Sequence, residues 1–118
     1  MMITGVVLDA PDARELARFY HRLLGWLAIQ DETDWVTLGA PAGGPGLSFQ
    51  TESRYVRPVW PAAPGDPQMS VHLDIQVEDL AEAGLHAEKA GAVLADFQPQ
   101  DHVRVYLDPA GHPFCLSL

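Results

Sequence analysis

Residues 70–92 read SVHLDIQVEDLAEAGLHAEKAGA, and residues 3–25, ITGVVLDAPDARELARFYHRLLG, follow the same plan. In each, a short alternating stretch runs into an aspartate, then a helix-period pattern that glycine closes. Val71, Leu73, Ile75 and Val77 fall on one side of the later strand, and His72, Asp74 and Gln76 on the other, because side chains alternate along a strand. Beyond Asp79, Leu80, Ala83, Ala87 and Ala90 recur at helical spacing up to Gly91. Beyond Asp12, Leu16, Phe19, Tyr20, Leu23 and Leu24 do the same up to Gly25. An aspartate at a helix start accepts hydrogen bonds from free amides, and a glycine ends the helix in a left-handed turn. Gly84 weakens the second helix by about 1 kcal/mol relative to alanine, so that helix leans on packing.

Superimposing Asp12 on Asp79 sets an offset of 67 residues. Three β-like runs follow each helix: WLAIQDE, DWVTLGA and GLSFQTE after the first, AVLADFQ, HVRVYLD and PFCLSL after the second. At this offset Val36 aligns with Val103, Leu38 with Val105, Gly44 with Gly111 and Leu47 with Phe114. The expected fold is therefore α+β: two βαβββ modules, residues 1–51 and 68–118, joined by a Pro/Gly-rich connection at 52–67 within a single domain of residues 1–118. Two mixed four-stranded sheets, each carrying a helix on its outer face, would close around a central cleft. The apolar phase, with Val6, Leu8, Val36, Leu38, Leu47 and Phe49, would face the helices. The opposite phase, with Gly5, Val7, Asp9, Ser48, Gln50, His72, Asp74, Gln76, Cys115 and Ser117, would line the cleft; such a mixture suits a ligand cavity better than a dry core.

The chain has 16 acidic and 7 basic residues and a formal charge of −9, which repels phosphate backbones and anionic lipid, so neither nucleic acid nor membrane is an expected partner. No apolar run approaches the roughly 18–20 residues of a membrane span. MMITGVVLDAPD lacks the basic and long apolar regions of a signal peptide, so a cytoplasmic location is expected. Cys115 is the single cysteine, which excludes an intrachain disulfide. GAPAGGPG, residues 39–46, has the glycines of a phosphate loop but no lysine and no following helix, and reads as a hairpin connection.

With APDARELARFYHRLLGW, the VEDL turn after HLDIQ, and YLDPAGHPFCL with its D-P-x-G segment, the chain resembles the vicinal oxygen chelate superfamily of glyoxalases, bleomycin-resistance proteins and extradiol dioxygenases, in its glyoxalase-like subgroup. The resemblance covers essentially the whole chain and implies a fold more firmly than a reaction. Metal-dependent relatives hold one divalent ion with four strand residues, and their positions correspond here to Gly5, Ser48, His72 and Cys115. Only His72 is a usual ligand there, too few for a typical catalytic centre. Asp74 shares the face of His72, but residues two apart on a strand sit roughly 6–7 Å apart along it. No resident metal or other cofactor is expected. The resemblance also implies a homodimer.

Among the candidate residues, His72 and Asp74 could carry proton transfer, and Cys115 could act as a nucleophile if its pKa were lowered. Each also has a plain structural role open to it. Ser48, Gln50, Gln76 and Ser117 would contact ligand from the cleft phase. Trp35, His102, Arg104 and Tyr106 would lie on the same phase of the third strands, Arg104 as a clamp for an anionic group and Trp35 or Tyr106 as stacking surfaces. The function expected is a glyoxalase-like protein that binds a small organic molecule in the cleft without a catalytic metal, either sequestering it or performing metal-free isomerase or lyase chemistry. The alternatives are a metal-dependent lyase, epimerase or dioxygenase with an atypical ligand set, and a non-catalytic dimeric scaffold.

Overall fold

Asp12 and Asp79 cap the two helices of the chain, as their positions predict. In a computed structural model that describes residues 1–118, Asp12 Oδ1 accepts from the amides of Arg14 and Glu15 at 3.0 and 3.3 Å, opening α1 (Ala13–Leu24). Asp79 Oδ1 accepts from Glu82 N at 2.9 Å, opening α2 (Leu80–Ala90). Gly25 ends α1 at φ 73°, its amide donating to His21 O; Gly91 ends α2 at φ 120°. Side chains rarely adopt such angles, which is why both positions carry glycine.

Contacts divide the chain into Met1–Tyr55 and Val56–Leu118. Each unit holds one βαβββ module with the strand order 1-4-3-2. Module 1 comprises β1 (Gly5–Ala10), α1, β2 (Ala28–Glu32), β3 (Trp35–Leu38) and β4 (Gly46–Thr51). Module 2 comprises β5 (Leu73–Gln76), α2, β6 (Val93–Leu94), β7 (Val103–Leu107) and β8 (Pro113–Ser117). In both sheets the first strand pairs in parallel with the last, and the remaining pairs are antiparallel. The architecture is α+β with two mixed sheets, as the repeat implied. The segment after Tyr55 packs within the second unit, where Arg57 donates to Pro109 O at 2.8 Å and Trp60 meets Phe97 at 5.9 Å between ring centroids. Neither helix is long and apolar enough to cross a membrane.

In module 1 the core lies between α1 and its sheet. Leu16, Phe19 and Tyr20 are buried against Leu8, Val36, Leu38 and Phe49. Tyr20 stacks on Phe49 at 5.4 Å and meets Phe19 edge-on at 4.8 Å, contacts worth about 0.5–1.5 kcal/mol each beyond their buried area. In module 2 the helix presents small residues, Gly84, Ala87 and Ala90, and the sheet supplies the bulk: Phe114 and Tyr106, stacked at 5.9 Å, with Leu116.

The phase expected for the third strand of module 2 is corrected here. In module 1, Leu38 pairs with Leu47 and Val36 with Phe49, all on the helix side. In module 2, the partners of Phe114 and Leu116 are Tyr106 and Arg104, not Val105 and Val103. The β7–β8 hairpin is one residue shorter than the β3–β4 hairpin. A slip of one residue turns every side chain of a strand to the other face. Arg104 and Tyr106 therefore face α2, and Val103 and Val105 share the face of Cys115.

Strand β5 is also shorter than expected, because His72 lies just before it. One step back along the register from Leu73–Phe114 would place His72 opposite Pro113, which has no amide hydrogen to donate to the ladder.

Candidate functional site

On the open face of module 2, away from α2, β5 and β8 bring three reactive side chains together. Asp74 pairs directly with Cys115 across the parallel ladder, and Gln76 with Ser117. His72 Nε2 lies 3.4 Å from Asp74 Oδ1, and a donor atom from each of His72, Asp74 and Cys115 falls within 4.8 Å of the other two. The backbone repeat of 6–7 Å proved a poor guide, because both side chains lean toward each other. His72 and Asp74 are exposed, with side-chain accessibilities of 42% and 71%, whereas Cys115 is half-buried.

Burial pushes the Cys115 thiol above its ordinary range; the nearby Asp74 charge and the hydrogen bond the thiol donates to that carboxylate push it further the same way. That is opposite to what an activated nucleophile needs. The carboxylate is placed to orient both the imidazole and the thiol. Val103 and Val105 share this face, Val103 half-buried and Val105 buried at 3% exposure.

The open face of module 1 is more tightly committed. Ser48 is 5% exposed, and its hydroxyl shares a 2.8 Å hydrogen bond with Thr37 Oγ1, which accepts from Trp35 Nε1 at 3.0 Å. Gln50 Nε2 donates to Asp9 Oδ1 at 3.3 Å. Thr37 is the residue the sequence reading missed; alternation along DWVTL already placed it on the side of Trp35.

Of the remaining candidates, His102 is exposed in the turn before β7. The Arg104 guanidinium donates to the carbonyls of Asp101 and Val103, both at 2.9 Å, and so fastens that turn. Tyr106 is 4% exposed beneath α2, where burial raises its hydroxyl above the usual phenol range, with the Glu88 charge adding to the effect. The clamp and stacking roles assigned to Arg104 and Tyr106 required the opposite face of the sheet.

The four-position metal set does not fit these residues. Gly5 has no donor, and the buried Ser48 hydroxyl is engaged by Thr37. His72 and Cys115 alone keep ligating groups, and the third donor near them, Asp74, lies outside that set.

The profile of the Glyoxalase-like domain matches residues 5–117. A glyoxalase family protein from Enterococcus faecalis superposes with a TM-score of 0.71 at 22% identity, covering 98% of this chain and 96% of its own. A glyoxalase/bleomycin resistance protein/dioxygenase family enzyme from Burkholderia phytofirmans PsJN gives 0.72 at 16% identity, with 98% and 97% covered. The fosfomycin resistance protein FosX from Mesorhizobium loti gives 0.68 at 10% identity, with 98% and 89% covered. Comparison with curated proteins gives no significant match. At these identities the structures share the fold, while the profile match spans nearly every residue: the chain belongs to the Glyoxalase-like domain family.

Proposed function

We propose that the protein binds a small organic molecule on the open face of module 2, without a resident metal, and either sequesters it or isomerises or cleaves it by proton transfer. The observation that carries this reading is the convergence of His72, Asp74 and Cys115 within 4.8 Å, beside Gln76 and Ser117 and next to the half-buried, apolar Val103. A few convergent polar groups against apolar surface are the usual makings of a small-ligand site. The His72 imidazole is the candidate proton-transfer group, and Asp74 at 3.4 Å orients it. The chain is expected to act as a homodimer in the cytoplasm.

Native mass spectrometry of protein purified gently from cells, followed by a thermal-shift screen, tests the proposal. A co-purifying or screened molecule should lose affinity in His72→Ala and Asp74→Asn. If every hit binds these variants as it binds the wild type, the site lies elsewhere.

One observation favours a second reading, a metal-dependent lyase, epimerase or dioxygenase with an atypical ligand set. The His72, Asp74 and Cys115 donors are close enough for one ion, and three protein ligands with an open position are what a catalytic zinc-type centre uses. One tightly held metal per chain by elemental analysis, lost in both His72→Ala and Cys115→Ser, would select this reading.

A further inference from the structure

We propose that module 1 carries a second and separate site, a groove between α1 and β2 that takes an amphipathic organic anion: an apolar body bearing a single carboxylate or phosphate. A cavity of about 500 Å³ opens there, with the exposed Ala28 and the nearly buried Ala17, Val36 and Leu38 as its apolar floor and Arg14, Arg18, His21 and Asp31 around it. This volume falls within the range of roughly 300–1,000 Å³ typical of small-molecule sites.

The charge pattern points to the class of ligand. The chain carries a formal −9, yet Arg14, Arg18 and Arg22, three of its seven basic residues, follow one another at intervals of four along α1. Like charges at that spacing repel on a helix, and of the three only Arg22, in the last turn, complements the helix dipole. Arg14 Nε is held by Asp31 Oδ1 at 2.9 Å across the groove, which fixes one guanidinium with its remaining N–H groups unused. Arg18 makes neither hydrogen bond nor ion pair. His21 Nδ1 lies 2.7 Å from Trp26 O; a carbonyl only accepts, so that nitrogen carries the hydrogen and Nε2 is left as the ring's other polar atom. Asp31 cancels Arg14, leaving Arg18 as the uncompensated charge over an apolar floor. An anion with an apolar tail satisfies both, and the fork geometry of arginine suits a carboxylate or phosphate.

The test uses 4-phenylbutyrate and its neutral amide, titrated into the full-length protein and followed by calorimetry and by amide chemical shifts of ¹⁵N-labelled protein. The acid should bind and shift resonances of α1 and β2, and the amide should bind at least about tenfold more weakly, the scale of a charge-assisted pair. Arg18→Ala should weaken the acid by a similar factor, Arg18→Lys by less, and Arg54→Ala not at all. His72→Ala, which disables the site proposed on module 2, should leave the affinity unchanged. Absence of binding, equal binding of acid and amide, or an unaltered affinity in Arg18→Ala would overturn the proposal. Loss of binding in His72→Ala would also overturn it, by assigning the anion to the other module.

Discussion

The hydroxyl of Tyr106 rests against the backbone of Gly84, the position on α2 where a Cβ would overlap it. A glycine inside a helix ordinarily costs stability. Here the missing side chain is what admits the phenol ring between helix and sheet.

Gly84→Ala should therefore destabilise the protein by about 1–3 kcal/mol, the range for overpacking a filled core, despite its gain in helix propensity. Tyr106→Phe removes the offending oxygen, so the double variant should recover most of the loss. Chemical denaturation of both single variants and the double completes the cycle. Additive effects would show that the two residues do not compete for space.

Asp108 is 1% exposed, and its Oδ1 accepts from the amides of Ala110 and His112, both at 2.9 Å, bracing the turn that enters β8. Asp108→Ala should cost about 2–3 kcal/mol, since buried amides lose a charged acceptor. Asp108→Asn keeps an acceptor oxygen and should cost less. Thermal and urea unfolding would rank the two variants.

The raised pKa of Cys115 makes the thiol sluggish near neutral pH. Its alkylation by iodoacetamide should run slower than that of free cysteine at pH 8 and climb with pH above the ordinary thiol range. Asp74→Asn should speed it only in part, because burial, the larger cause, remains. Folding stability should carry the matching signature: unaffected below the ordinary thiol value, and eroded as pH rises through the raised one. Cys115→Ala should lack that alkaline loss.

Arg104→Ala should leave small-molecule affinity at the His72 cluster within about twofold of wild type, because its guanidinium is spent on the carbonyls of Asp101 and Val103 on the far side of the sheet. A large loss would return Arg104 to the ligand site.

Chelator should not lower the melting temperature of the purified protein if no metal is resident, since a specific ion would stabilise the fold by mass action. A chelator-sensitive transition, restored by zinc, would favour the metal-dependent reading.

Much of this was legible in the chain. Asp12 and Asp79 announced both helix starts, Gly25 and Gly91 their ends, and the alternation in HLDIQ placed His72, Asp74 and Gln76 together. The phase of β7 was not, because HVRVYLD alternates in either sense: Val103 and Val105 look like core, and Arg104 and Tyr106 like surface. Hairpin length decided it, and pairing register cannot be read from a strand by itself. The closeness of His72 to Asp74 was hidden for a related reason, since backbone spacing says nothing of how two side chains lean. The groove beneath Arg14 and Arg18 needed the path of the edge strand β2, which a helix pattern does not contain.

The hairpin shortened by one residue sets how freely a repeated unit can be rebuilt. One residue added to the 108–112 turn, with β8 still paired to β5, would swing Arg104 and Tyr106 outward and drive Val103 and Val105 under α2. Grafting the shorter turn into module 1 would force Trp35 and Thr37 toward α1 and break the Thr37–Ser48 hydrogen bond. Though the two halves share a topology, they are no longer interchangeable parts. Each hairpin is matched to its own helix, the large aromatic face of α1 or the small-residue face of α2, and any recombination that respects the fold must move helix and hairpin together.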